Sequence, residues 1–384
     1  MRRVLFVSWM LLLLVSCREI FEPEVVFVDF GFLVVEGNIE VGGNEDGLIR
    51  LSRTRSIYDS TASQTITNAE VWAESENGDR YFFIHNGTGN YLCQETIPFG
   101  QNYRLQIRIA DGSAYTSAWL TPKRTPEIEE VYFEREEDEV FIYLDAAGGN
   151  ESDYLFWSTR EVWQFATPFT SFYRLDPDLG DLVVRDEVRN ICFKEENGGN
   201  ILLAETSRFE NGKINRQMLT RIPEGSEKLG IRYSIEVAQR SIDVEAFEFW
   251  DIMRKNTDDV GGIFSPMPSI IPGNVRNVDD PEEPVIGFVG IGSTERKRIY
   301  INNGDVFPWR TQIPDYNNCV LQDTVLSFQF STYFANDRFV ALYGIETLDE
   351  NLDFAIGYLT TTLFCGDCTL RGELQAPDFW EERW

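Results

Sequence analysis

Asn68-Ala-Glu-Val-Trp-Ala-Glu-Ser75, then Asn77-Gly78, then Asp79-Arg-Tyr-Phe-Phe-Ile84 carries the signature of a β-hairpin. Its first segment alternates with period two, Asn-Gly is a strong hairpin signal, and its second segment is rich in β-favouring aromatics. Two antiparallel strands joined by a tight turn are expected. Toward the N-terminus, residues 32–39 and 47–52 are apolar runs parted by the turn composition Gly43-Asn44-Glu45-Asp46. Toward the C-terminus, residues 89–91, 100–107 and 113–117 continue the pattern, with Asp111-Gly112 as a further turn. About seven strands, with turns every ten residues or so, describe an Ig-like β-sandwich over residues 31–122. His85, at a strand end before Asn86-Gly87, reads as an ordinary loop residue.

Thr121-Pro-Lys-Arg-Thr-Pro126 marks a domain boundary, because two prolines disfavour continuing a strand or a helix. A second, larger β-sandwich-type domain is expected over residues 124–384. Its strands begin at 128–133, 140–144 and 154–159, with the charged run 134–139 as an exposed hairpin tip. Trp163, Phe165, Phe169, Phe172 and Tyr173 crowd around Pro168. They form either a loop packed down by its own rings or an aromatic ligand-contact and docking loop. Asp176-Pro-Asp-Leu-Gly-Asp181 resembles part of a calcium loop, but Gly180 and Asp181 break the order and no distal Glu completes it.

After a strand at 231–237, residues 242–255 predict an inserted helix. Ser241 serves as N-cap, Asp243 and Glu245 lie at the positive end, and Arg254 and Lys255 occupy the last turn. Ile242, Ala246, Phe249, Trp250 and Met253 share the face that packs onto a sheet, with Phe249 and Trp250 largely buried. Residues 261–274 make an irregular connection; strands are expected at 284–291, 296–301, 326–333 and 339–343. A helix is one option for 346–361.

The chain carries 63 acidic and 34 basic residues, which disfavours binding to phosphate backbones, so no nucleic-acid partner is expected. Arg2 and Arg3 precede an apolar run from Val4 to Val15 that ends in Leu14-Val15-Ser16-Cys17. About a dozen apolar residues are too few to span a bilayer, and the small-residue pattern is a lipoprotein cleavage site. Residues 1–16 are expected to be removed as a signal peptide. Cys17 then becomes the lipidated first residue, and residues 17–30 form a tether. The body would fold outside the cytoplasm, where cysteines form disulfides more often than metal sites.

Cys365-Gly-Asp-Cys368 has redox or half-zinc spacing but lacks a thioredoxin-like context. That spacing disfavours a bond within the pair, which would need a strained loop. One of the two is expected to bond Cys319 and the other Cys192, tying down the tail and leaving Cys93 free and buried. With a single histidine, most metal-triad and Ser-His-Asp chemistry is excluded, and there is no phosphate loop or nucleophile elbow. No catalytic residue, metal or cofactor is assigned.

The N-terminal strand order resembles transthyretin-like and carboxypeptidase-regulatory-like sandwiches. Several stretches together resemble a wider family. They are Leu33-Val-Val-Glu-Gly-Asn-Ile39, YSIEVAQRSIDVEAFEFW from Tyr233, GGIFSPMPSIIPGNV from Gly261, PVIGFVG from Pro284, and CGDCTLRGELQAPDFW from Cys365. They are similar to the domain-of-unknown-function lipoproteins of Bacteroidota that are commonly encoded beside TonB-dependent outer-membrane receptors. The resemblance implies an outer-membrane, lipid-anchored protein, with Glu19, Glu22 and Glu24 after Cys17 matching a surface-export signal. It brings no established enzymatic activity. Two functions follow as expectations: a non-enzymatic accessory or cargo-binding partner of a TonB-dependent receptor, or an extracellular hydrolase of glycan or peptide working with carboxylates alone.

Overall fold

The computed structural model describes residues 31–43, 45–55, 64–147, 154–258, 273–346 and 355–380. The leader, Cys17 and the tether lie outside the described residues. The hairpin forms as its sequence asks: Ala69–Ser75 pairs antiparallel with Arg80–His85, Trp72 opposite Phe82. Gly78 closes the turn at φ 91°, in the left-handed region open to glycine.

Around it a ten-stranded sheet curls on itself. Arg80–His85 turns the corner, pairing with Ala69–Ser75 along its length and with Asn90–Cys93 at its end. One side continues through Tyr103–Ile109 and Ala114–Ser117, the other through Gly47–Arg53 and Leu33–Glu40. Val35, Ile49, Leu51, Tyr91, Tyr103, Leu105 and Tyr115 fill the core between the two faces.

Both edges of this sandwich are closed by chain from far downstream. Val275–Asn277 pairs antiparallel with Ala114–Ser117, and Val289–Gly292 pairs parallel with Leu33–Glu40. The boundary expected near residue 123 therefore needs correction: Val275, Val285, Val289 and Ile291 belong to the first core. The close approach is steric as well as apolar. A Cβ at Gly287, whose φ is +100°, would stand 2.1 Å from the Val35 carbonyl oxygen.

The second sandwich stacks two sheets. One is Ile128–Glu136, Glu139–Ala146 and Ile214–Ile222; the other is Ile191–Asn197, Tyr154–Ala166, Arg232–Ile242 and Thr294–Asn302, with Leu202–Glu205 beside the start of Tyr154–Ala166. Trp157 is fully buried between them, its indole N–H bonded to Gln239 at 2.7 Å. Helix α1, Val244–Asp258, follows directly. Its cap is Asp243, whose carboxylate accepts from the Ala246 N–H at 2.7 Å, two residues beyond the expected Ser241. Ser241 is instead the buried penultimate residue of the strand, its N–H bonded to Thr125. Phe249 is 7% exposed and packs on Phe288, while Trp250 is only half-buried, against Phe156.

A small third sheet joins Thr324–Leu326, Ala355–Thr362 and Phe339–Glu346, with the hairpin Tyr173–Asp176/Asp181–Val184 packed on it. The strand expected at 326–333 ends at Leu326. Phe330–Tyr333 is helical, because Phe330 and Phe334, one turn apart, are both buried. Within 346–361, where a helix was one option, Ala355–Thr362 is a strand and residues 347–354 lie outside the described set.

Disulfides join Cys192 to Cys368 and Cys319 to Cys365, and Cys93 is free and buried. The tail also exchanges two backbone hydrogen bonds between Phe193 and Glu373, and seats Trp380 against Phe193 and Tyr300.

Candidate functional site

The five aromatics read as one loop do not form one surface. Trp163 and Phe165 lie on the inward side of Tyr154–Ala166, 6% and 1% exposed, in the second core. Phe169 is half-buried where its N–H meets the Cys365 carbonyl, Phe172 is exposed, and Tyr173 packs on Tyr358. The docking-loop reading is corrected accordingly: a strand with alternate residues inward cannot offer Trp163 and Phe165 to a partner. Beside them Glu161, also inward, accepts from the Tyr233 hydroxyl at 2.8 Å and from Lys228 Nζ at 2.7 Å. Burial, reinforced by Glu161, drives the Tyr233 pKa well above its ordinary value. This buried network is an interior fastening, and nothing in the apolar pattern signals it.

Asp176 uses its carboxylate on the N–H groups of Asp178 and Leu179, which makes the calcium-like stretch a turn. Among the described residues, no group of three or more His, Cys, Asp or Glu is placed to hold a metal. His85 ends its strand, exposed, with its ring 5.2 Å from that of Tyr91.

The surface that stands out is the outer face of the first sandwich. Tyr81 and Phe83 of the founding hairpin point inward, so strand alternation sends Phe82 and Ile84 to solvent, 48% and 68% exposed. Cross-strand register then aligns Ile84 with Leu92 and Leu92 with Leu48, the last 37% exposed. Phe82 lies opposite Trp72 in the neighbouring row. A shallow cleft of about 400 Å³ opens between Phe82, Ile84, His85, Leu92 and Glu95. Arg80 and Arg108 lie over the Trp72 ring, and Arg104 over that of Trp119 at 4.7 Å. The result is a contiguous apolar ribbon edged by guanidinium groups. Its signal was present in the sequence: Tyr-Phe-Phe-Ile leaves no polar residue for the solvent side of a strand.

At its other end the ribbon meets the joint between the sandwiches. Leu48 and Leu92 also border a cleft of about 320 Å³ that contains Glu40, Glu45, Arg240 and Arg296. Glu40 is 4% exposed and accepts from the Thr294 N–H at 2.6 Å, the Thr294 hydroxyl at 2.8 Å and Asn38 at 3.0 Å. Arg296 pairs with Glu45 of the first sandwich and Glu236 of the second. These polar bonds hold the ribbon's sheet in place against the second sandwich.

The structure is thus that of a mainly β protein of two interlocked sandwiches and a small third sheet, presenting an apolar ribbon on the first. Residues 18–298 match the family described as "Domain of unknown function (DUF4249)", and the chain belongs to that family. No curated protein matches it. Among solved structures, a two fibronectin type-III domain segment of chicken tenascin is 9% identical, covering 54% of this chain and 89% of that one, with a TM-score of 0.16. A putative carbohydrate binding protein from Bacteroides uniformis is 10% identical over 54% and 88%, with a TM-score of 0.16. Likenesses this slight identify no function, and the fold class rests on the sheets themselves.

Proposed function

We propose that the chain is a lipid-anchored, non-enzymatic outer-membrane protein, exposed at the cell surface, that acts as an accessory or cargo-binding partner of a TonB-dependent receptor. The observation that carries this reading is the apolar ribbon Leu48–Leu92–Ile84, with Phe82 beside it, on the domain nearest the anchor. Exposed contiguous apolar surface edged by polar groups is the mark of a protein-binding face. The anchor is supported by Leu14-Val15-Ser16-Cys17 and by a family match that starts at Arg18, the next residue. Residues 17–30 reach at most about 50 Å when fully extended, which keeps the first sandwich within contact range of a barrel rim.

The test is affinity capture from detergent-solubilised membranes. The wild-type chain is expected to recover a β-barrel receptor, and the Phe82→Asp/Ile84→Asp variant, still folded and acylated, is expected to lose it. Cys17→Ala is expected to abolish membrane attachment. Equal recovery by the double variant, or acylated protein surviving Cys17→Ala, contradicts the reading.

A further inference from the structure

The third sheet carries a cleft of about 470 Å³ between the Tyr173–Asp176/Asp181–Val184 hairpin and residues 331–341. Its floor is apolar, since Leu175, Leu182, Phe334 and Phe339 belong to the third core. Its rim carries Arg174 and Arg185 against one carboxylate, Asp337. Among the described residues neither Arg174 nor Arg185 forms an ion pair, whereas neighbouring Arg189 is paired with Asp367.

Arg185 is held rather than free. Its Nε donates to the Tyr173 carbonyl at 2.7 Å and its backbone N–H to the Phe172 carbonyl at 2.8 Å. Burial, then the positive charge of Arg189, lowers its pKa below the ordinary arginine value, against the opposing charges of Asp367 and Asp337. The surrounding frame is fixed as well. The Ser171 hydroxyl donates to the Ala341 carbonyl, and Phe169 is tied to Cys365, itself bonded to Cys319.

We propose that this cleft binds a small organic carboxylate with an apolar body, the acid group on Arg174 and Arg185 and the body on the Leu175, Leu182 and Phe334 floor. Guanidinium geometry suits a carboxylate, and the volume suits a small ligand rather than a chain segment. An inorganic anion would leave the apolar floor wet, and a neutral amphiphile would leave the arginines unpaired. The site lies on a different module from the apolar ribbon, so either can fail without the other.

Isothermal titration of the full chain with decanoate, decanol and acetate at low salt tests the inference. Decanoate is expected to bind at one site, with decanol and acetate at least about tenfold weaker. Arg174→Gln and Arg185→Gln are each expected to weaken decanoate by about tenfold and to flatten its salt dependence. If Arg185→Gln unfolds through loss of its Tyr173 contact, the exposed Arg174 variant, with its fold checked by circular dichroism, decides. No decanoate binding, equal binding of decanol, or wild-type affinity in Arg174→Gln would overturn the inference.

Discussion

Glu40 of the first sandwich is buried against Thr294 of the second and accepts two of its hydrogen bonds. Burial raises its carboxyl pKa above the ordinary value of 4.5, outweighing the opposing bonds from Thr294 and the nearby Arg240 charge. The folded chain therefore holds this proton more tightly than the unfolded chain. The stabilisation linked to it is full below pH 4.5 and is lost as pH rises from there through the raised folded value. Urea unfolding of wild type and Glu40→Gln across that window is expected to show wild type losing stability relative to the variant as pH rises; a constant or opposite difference would contradict this. Single residues also decide what a sequence hides. Along Tyr154–Ala166 the inward positions are Leu155, Trp157, Thr159, Glu161, Trp163 and Phe165. The polar pair Thr159 and Glu161 interrupts the alternation midway. The strand is therefore legible as far as 159, and the rest resembles an aromatic loop. A buried carboxylate with its Lys228 and Tyr233 partners erases the period that would have revealed it.

At the scale of elements, most strands and helix α1 were legible because their periods are local. Helix α1 illustrates the limit: its apolar face is the expected one, but the strand before it runs on to Ile242 and moves the cap to Asp243. Its two large aromatics divide unequally. Phe249→Ala is expected to cost about 3–5 kcal/mol, and Trp250→Ala clearly less because that ring is half-solvated, measured by denaturant midpoints. Equal costs would place Trp250 deeper than it lies. The segment 326–333 departs from a strand for the opposite reason. Phe328 and Phe330 suit a strand, but Phe330 and Phe334 bury together only with helical spacing, while Phe328 stays 79% exposed. The apolar ribbon was legible in principle from Tyr81-Phe-Phe-Ile84, since a strand apolar on both sides has either a covering layer or a partner.

At the scale of the whole molecule, class and disulfide framework were legible, but which core each strand joins was not. Hydrophobic pattern says that Val275, Val289 and Ile291 are buried; it carries no address, and these side chains cross back to the first sandwich. A fragment of residues 31–122 therefore lacks both edge strands of its sheet. It is expected to unfold without a cooperative transition, whereas native-like stability of the fragment would show that the return strands are dispensable.

On the proposed function, the outer face of the first sandwich meets a receptor. A photo-crosslinking residue placed at Ile84 in the lipid-anchored protein in cells tests it directly, with Val188, 38% exposed and away from that sandwich, as the control position. An adduct with a TonB-dependent β-barrel is expected from position 84 and none from position 188. No barrel adduct at 84, or equal adducts from both positions, would contradict it.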